Sequence, residues 1–510
     1  MNKVFKTASS MFVIMMFAKI LGQAREILLA GFYGTGDQAS AFLTASQIPL
    51  NFFDMILGLA IVSAFVPVFN EYYQNEGVKA ANDFANNFLG VVLIVSVCVA
   101  LFGVVFSKHI IKFLAAGFDV HTANLASKLL KVMFPSLVFT AVAYSYAGVV
   151  QSYGEFKIPA AMSIASNLVA VIYFLLFNRF AGIFGLAIAM LVGWALQVVI
   201  LIPALIKFKY SFNLSFDFFH SGMKKVYKLA LPIILSSWVQ PLNVMINLYL
   251  ASFIDGGRAV SYINYANKLY IIIVGVFAMS VTNLILPQLS RLFAENNKSR
   301  CSDVILLSIK SGILFILPIM ILFLVFSRQI IEIIYMRGAF DEHSVKMTAL
   351  ALFFYSFGML GYGLQEILNK SFYSMQNSVI PMKNAFLTIG INVLFSFLLY
   401  NIMGVGGLAL AAAIASNVSS INLLLKIKKE LKLIDLKSLL TILLKSTISA
   451  VISCAFSYAL YGLISQVATG FITKLLILGT CVLFAILLYV LGLVVLKVDE
   501  LKYIKNKEGV

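Results

Sequence analysis

Eight ionisable residues lie inside long apolar stretches of this chain: Lys19, Arg25, Glu26, Asp54, Lys268, Lys310, Glu366 and Lys445. A charge in hydrocarbon costs about 2.5–3.5 kcal/mol on insertion scales, so each of them needs a reason to be there. Lys310 and Lys445 fall near the ends of their stretches, where a lysine can snorkel its ammonium to the headgroup layer. Lys19 and Glu26 are seven residues apart, which places them on one helical face about 10 Å apart, with Arg25 roughly 100° round the helix. One reading pairs Arg25 with Asp54 and Lys268 with Glu366 as ion pairs that hold helices together. The other places Lys19, Arg25 and Lys268 in a central cavity as receptors for a single anion. Three cations suit a diphosphate or another polyanionic headgroup, because Arg grips phosphate through a bidentate fork and Lys as a point charge. Catalysis is not indicated: there is no acid pair at a defined spacing, no DxxD metal site and no nucleophile with a base. A transporter is expected rather than an enzyme, and without a GxxxxGK[ST] element its energy must come from an ion gradient, the membrane potential or substrate consumption.

The elements that position these charges are set by composition. Of 510 residues, 61% are hydrophobic and 12% charged, against roughly 45–50% and about 25% in soluble domains. With a mean hydropathy of +0.97, the solvent for most of the chain is lipid. About fourteen apolar segments are long enough to cross a bilayer, beginning near Ser9, Ala39, Asn82, Thr122, Phe156, Gly182, Val226, Ala259, Cys301, Ser344, Val379, Gly404, Ser438 and Ile472. The basic start and apolar middle of the first thirty residues resemble a signal peptide, but the apolar run continues past Lys19 without a clear cleavage site and reads as a retained span. The net charge of +17 concentrates in the loops on one side, including the stretches KIKKELKLIDLK and KVDELKYIKNKEG. By the positive-inside rule both termini are cytoplasmic. The bases are scattered between apolar segments rather than gathered into a patch, so no nucleic-acid partner is expected. Four cysteines without a CxxC pair or histidines at ligand spacing give no disulfide framework or zinc site. Pro203, Pro232, Pro241, Pro318 and Pro381 lie in or at the ends of spans, where a missing amide donor kinks a helix.

The chain repeats itself. SAFVPVFNEYYQNEG and TNLILPQLSRLFAENN place Pro67 and Pro287 in equivalent positions, HIIKFLAAGFD from His109 matches QIIEIIYMRGAFD from Gln329, and the segments holding Pro159 and Pro381 are each followed by Gly-Leu-Ala, at Gly185 and Gly407. All these landmarks fall at offsets of 220 to 222. Each repeat holds six spans, an even number, so the two copies enter the membrane with the same orientation. The expected architecture is all-α and polytopic, with two parallel six-helix halves at 1–222 and 223–430 and two extra helices with a basic tail at 431–510.

These residues resemble the MurJ/MviN lipid II flippases of the multidrug/oligosaccharidyl-lipid/polysaccharide exporter superfamily. The likeness covers nearly the whole chain and is carried by KILGQAREILLAGFYGTG from Lys19, AFLTASQIP from Ala41, SAFVPVFNEY from Ser63, SYINYANKLYIIIVGVF from Ser261, LPQLS from Leu286, IIYMRGAFDEHS from Ile333 and the Phe372-Tyr373 to Pro381 element. The resemblance implies a V-shaped, two-lobed transporter in the bacterial cytoplasmic membrane. Its cargo would be the undecaprenyl-diphosphate-linked peptidoglycan precursor, moved to the outer leaflet by alternating access. The diphosphate would bind at the matching cations Lys19, Arg25 and Lys268, with Glu26, Asp54, Ser261 and Glu366 lining or gating the cavity and the last two helices forming a groove for the polyprenyl tail. Two of the three cations are Lys where Arg is usual, and Glu26 stands where Asp is usual. Asp54 follows Phe53 where the second helix usually carries Arg, Ser40 replaces an acid, and Ile271 replaces another. The alternative cargo is a different lipid-linked oligosaccharide, of O-antigen or teichoic type, or an amphiphilic drug. No organic cofactor is expected. Coupling to sodium or protons is an expectation left open, with Asn243, Asn247, Asn384 and Asn392 as sodium-site candidates or else as hydrogen bonds between helices. The expected partners are the lipid-linked sugar diphosphate and membrane lipids, for a monomer associated with the cell-wall synthesis machinery.

Overall fold

In the computed structural model, residues 2–50, 61–237, 239–295, 297–431, 435–467, 470–498 and 500 are described. Among them the chain is helical with no strand, and eighteen α-helices account for the fourteen expected segments. The first half holds α1 (Asn2–Tyr33), α2 (Asp37–Pro49), a π-helical turn (Ile61–Phe65) leading into α3 (Val66–Asn75), α4 (Gly77–Leu114), α5 (Val120–Met133), α6 (Ser136–Ser152), α7 (Lys157–Leu176) and α8 (Asn178–Lys207). The second holds α9 (Ser221–Ser237), α10 (Val239–Ser252), α11 (Ala259–Ala294), α12 (Lys298–Tyr335), α13 (Glu342–Ser356), α14 (Met359–Ser374), α15 (Val379–Met403) and α16 (Val405–Leu431), followed by α17 (Leu436–Ile464) and α18 (Phe471–Val495). Among the described residues two expected segments are each carried by a pair of helices, α5 with α6 and α13 with α14, the latter bent by 48°; residues 51–60, after α2, and residue 238, between α9 and α10, lie outside the described residues. By length and composition alone nine spans, or ten with that bent pair, are apolar enough to cross a membrane among the described residues.

Backbone geometry supports the duplication independently of side-chain similarity. Left-handed residues recur at matching positions, Gly34 with Asp255, Gly154 with Gln376 and Gly182 with Gly404, at offsets of 221 or 222. Asp255 and Gln376 take this conformation without being glycine, which is uncommon for residues with a Cβ. The helix starts repeat as well. Asp119 caps α5 by accepting from the Thr122 amide, and Asp341, 222 residues later, caps α13 by accepting from the Ser344 amide.

The described chain divides into two compact units, 1–261 and 262–510. In the first, the core is aromatic around Phe65, Phe69, Phe84 and Phe88, and α9 joins it, with Tyr72 and Ser221 hydroxyls 2.7 Å apart and Lys225 paired to Glu71 at 2.5 Å. The helix pair α9–α10 thus packs on the first six spans rather than standing apart. In the second, α12 runs through a core shared with α14, α16, α17 and α18. The buried face of α17 is a stripe of small residues, of which Ser449 donates to the Tyr489 carbonyl (2.8 Å) and Ser457 to the Cys481 carbonyl (2.6 Å) of α18. Such stripes let helix backbones approach closely in lipid, where hydrophobic burial supplies little force between helices.

Candidate functional site

The charged turn of α1 is built against α7 and α8. Arg25 and Glu26 are neighbours whose Cβ directions diverge, yet the long Arg side chain folds back and its Nη2 donates to Glu26 Oε1 at 2.7 Å. Its Nη1 donates to Asn167 Oδ1 of α7 at 3.1 Å, and the Asn167 amide is fixed in turn by donating to the Ser163 carbonyl at 2.9 Å. Met190 of α8 places its sulfur 4.0 Å from Nη1. Glu26 is buried at 3% exposure, whereas the Arg25 side chain keeps 19%. The acid is therefore the enclosed partner, and the guanidinium is held at the edge of the packed helices with N–H groups to spare. Gly22 and Gly193 make this approach close. A Cβ on Gly22 would stand 3.5 Å from Asn167 Nδ2, and one on Gly193 would stand 2.9 Å from the Ser166 backbone.

Arg25 pairs with Glu26; Asp54, its other candidate partner, lies outside the described residues. Lys310 pairs with Glu500 at 2.7 Å, both side chains largely enclosed. Lys445 donates to the Lys497 carbonyl at 3.1 Å. Both contacts tie the end of α18 to the body of the second unit. Lys19 lies on α1 nearly two turns before Arg25, partly exposed, so these two cations share one helix. Lys268 is exposed on α11 and Glu366 half-buried on α14, both in the second unit. Ser261 is fully buried, and its hydroxyl lies 2.9 Å from that of Ser40, its counterpart in the first repeat.

The asparagines read as sodium-site candidates sit in polar contacts. Asn384 of α15 donates to Ser419 Oγ (2.6 Å) and accepts from Asn422 (2.8 Å), both on α16. Asn392 accepts from Ser396 at 3.3 Å, and Asn247 donates to Asn243 at 3.5 Å along α10. Asn167 is the site residue that sequence reasoning missed. Its signal was present as the polar set Ser163, Ser166 and Asn167, spaced by three and four along an otherwise apolar helix, which marks one helical face. Between α12, α17 and α18 lies a narrow apolar gap lined by Pro318, Leu322, Cys454 and Tyr489 among others.

The family model for the lipid II flippase MurJ matches residues 29–481. That span begins after Lys19, Arg25 and Glu26. Among similar proteins, the probable lipid II flippase MurJ of Buchnera aphidicola subsp. Schizaphis graminum is 28% identical over 417 residues, 81% of each chain. The lipid II flippase MurJ of Burkholderia cenocepacia is 26% identical over 422 residues, 81% of this chain and 82% of that one. A solved structure described as lipid II flippase MurJ in an inward closed conformation superposes with a TM-score of 0.79 at 23% identity, covering 94% of this chain and 97% of that one. An inward-facing multidrug resistance MATE family transporter gives a TM-score of 0.70 at 14% identity, covering 84% and 98%. The two structural likenesses establish a shared helical architecture, and the family match goes further: the chain is a multi-pass membrane protein and transporter that belongs to the lipid II flippase MurJ family.

Proposed function

We propose that the protein carries lipid II from the cytoplasmic to the outer leaflet of the bacterial cytoplasmic membrane by alternating access, with both termini cytoplasmic. The single observation that carries the binding step is the aimed guanidinium of Arg25, held by Glu26 and Asn167 within an apolar helix packing. Arginine has five N–H donors, and the two side-chain oxygens engage one on each terminal nitrogen, leaving donors for a bidentate grip on phosphate. Glu26 keeps the cation from being an isolated charge while the site is empty, and an arriving diphosphate competes with it for Nη2. Lys19 and Lys268 are assigned to the same diphosphate as point charges. Glu366, Asp54 and Ser261 are assigned to the lining and gating of its path.

The polyprenyl tail is assigned to the lipid-facing surface of α12, α17 and α18. The exposed apolar side chains of α17 and α18, among them Ile452, Phe456, Leu483 and Leu487, support that assignment. No ATP motif is present, so resetting is assigned to an ion gradient or the membrane potential, worth about 2.3 kcal/mol per charge per 100 mV. Asn384 and Asn392 are the proposed polar groups for a coupling cation in the second unit, with Asn243 and Asn247 on α10. The test is depletion of the protein in its host followed by analysis of lipid intermediates. Lipid II is expected to accumulate, with its outer-leaflet fraction reduced. Accumulation of a different lipid-linked oligosaccharide, with lipid II unchanged, would overturn the assignment.

A further inference from the structure

The segment joining the two repeats, residues 208–220, is an extended strap rather than a loose tether. It has no strand partner, and its backbone is held by side-chain amides of α4 instead. Asn86 donates to the Ser211 carbonyl at 2.7 Å, and Asn87 donates to the Asp217 carbonyl at 2.8 Å while accepting from the Asp217 amide at 2.7 Å. Both asparagines are fully buried. Gly90 completes the seat, since a Cβ there would stand 2.0 Å from the Ser215 carbonyl oxygen. With the chain extended, Phe212, Leu214, Phe216 and Phe218 alternate with Ser211, Asn213, Ser215 and Asp217. The apolar set is only partly covered: Phe212 meets Tyr146 and Tyr210 edge-on and is still 56% exposed, Phe216 is 48% exposed, and Phe219 at the end of the strap 81%.

Two further observations say what covers it. The first is depth. At 38 residues α4 is about 57 Å long and so outreaches a hydrocarbon core of about 30 Å. Its polar residues, Asn82, Asp83, Asn86 and Asn87, give way at Gly90 to the apolar run that starts at Val91. The strap crosses α4 at that change, which is the level of the headgroups. The second is charge. Lys207, Lys209, Lys224 and Lys228 flank the strap and are exposed, Lys225 is engaged by Glu71, and the one acid between 207 and 228 is Asp217.

We infer that the strap is an interfacial anchor for anionic phospholipid, its phenylalanines dipping into the boundary between headgroups and acyl chains and its flanking lysines meeting the negative headgroups. The inference rests on reading this side of the protein as cytoplasmic, where anionic lipid attracts basic juxtamembrane segments over a Debye length. It needs no transport and stands apart from the identity of the cargo.

The test uses the full chain with Cys98→Ser and Phe219→Cys, labelled at residue 219 with an environment-sensitive dye and placed in lipid nanodiscs. Quenching by phosphatidylglycerol carrying a spin label near the headgroup is compared with quenching by phosphatidylcholine carrying the same label, at equal mole fraction. The expected result is a blue-shifted dye quenched about twofold or more strongly by the anionic lipid, and a Lys→Gln change at 207, 209, 224 and 228 together that equalises the two lipids without abolishing quenching. A dye that reports water and is quenched by neither lipid would overturn the anchor and leave the strap to a soluble partner. Equal quenching by both lipids in the parent would overturn the anionic selectivity. Should the lysine variant not be recovered, the parent comparison decides alone.

Discussion

Asn167→Ala removes the oxygen that aims Nη1 of Arg25 while leaving the cation in place. A hydrogen bond to a charged group is worth about 1.5–3 kcal/mol, so the variant is expected to weaken binding of the lipid diphosphate by about tenfold or more, measured with purified protein and lipid II in nanodiscs. Unchanged affinity would mean that Arg25 is aimed by Glu26 alone. Glu26→Gln tests the other support: it keeps an acceptor but releases the competing charge, so it is expected to tighten diphosphate binding and slow release. At this scale the sequence was legible for the kinds of residue and not for their partners. Charges inside apolar runs identified Lys19, Arg25 and Glu26 because their desolvation demands a reason. Helical angles placed Arg25 away from Glu26, and a long, flexible side chain overrode that angle. Asn167 lies 142 residues from its partner, a separation over which one sequence carries no pairing signal.

The elements repeat more faithfully in their ends than in their middles. Asp119 and Asp341 cap α5 and α13 in the same way, and replacing either with Ala is expected to cost about 0.5–2 kcal/mol of stability, read from thermal unfolding in detergent. Asp119 also gives a pH signature. The Thr122 hydroxyl first, then the Thr122 and His121 amides and the nearby His121, hold its carboxyl below the usual range. Its folded value lies below its unfolded one, so its contribution is present above about pH 4 and is lost as pH falls through the folded value. The stability deficit of Asp119→Asn is therefore expected to be constant near neutrality and to shrink in acid. A deficit independent of pH would place the effect elsewhere. Between elements, Gly193→Val forces α8 away from Ser166 of α7. It is expected to destabilise by about 1–3 kcal/mol as overpacking and to impair substrate binding by displacing Asn167. Span positions among the described residues were legible, because hydropathy marks helices that lipid must solvate. The break between α13 and α14 was not, and Pro318 lies within a continuous α12 whose irregular backbone falls at Phe326.

At the scale of the molecule, duplication is the feature that sequence and structure share most closely. Left-handed residues, caps and the Ser40–Ser261 contact all recur at the offsets found in the sequence. A Ser40→Cys, Ser261→Cys pair is expected to form a disulfide on mild oxidation, detected by mass spectrometry, and its absence would contradict that contact. The compact units divide at residue 261, past the repeat boundary near 222, because α9 packs on α3 through Tyr72 and Glu71. Hydropathy reports which segments enter lipid and not which neighbours they choose there. The proposed role of the cationic site on α1 in moving lipid II is tested in bacteria depleted of their own flippase and supplied with either the intact protein or Arg25→Ala at matched membrane levels, by measuring the lipid II open to an externally added lipid II-cleaving enzyme. The intact protein is expected to restore the outer-leaflet fraction and Arg25→Ala to lower it about tenfold or more. Full restoration by Arg25→Ala would contradict a role for this cation in lipid II transport.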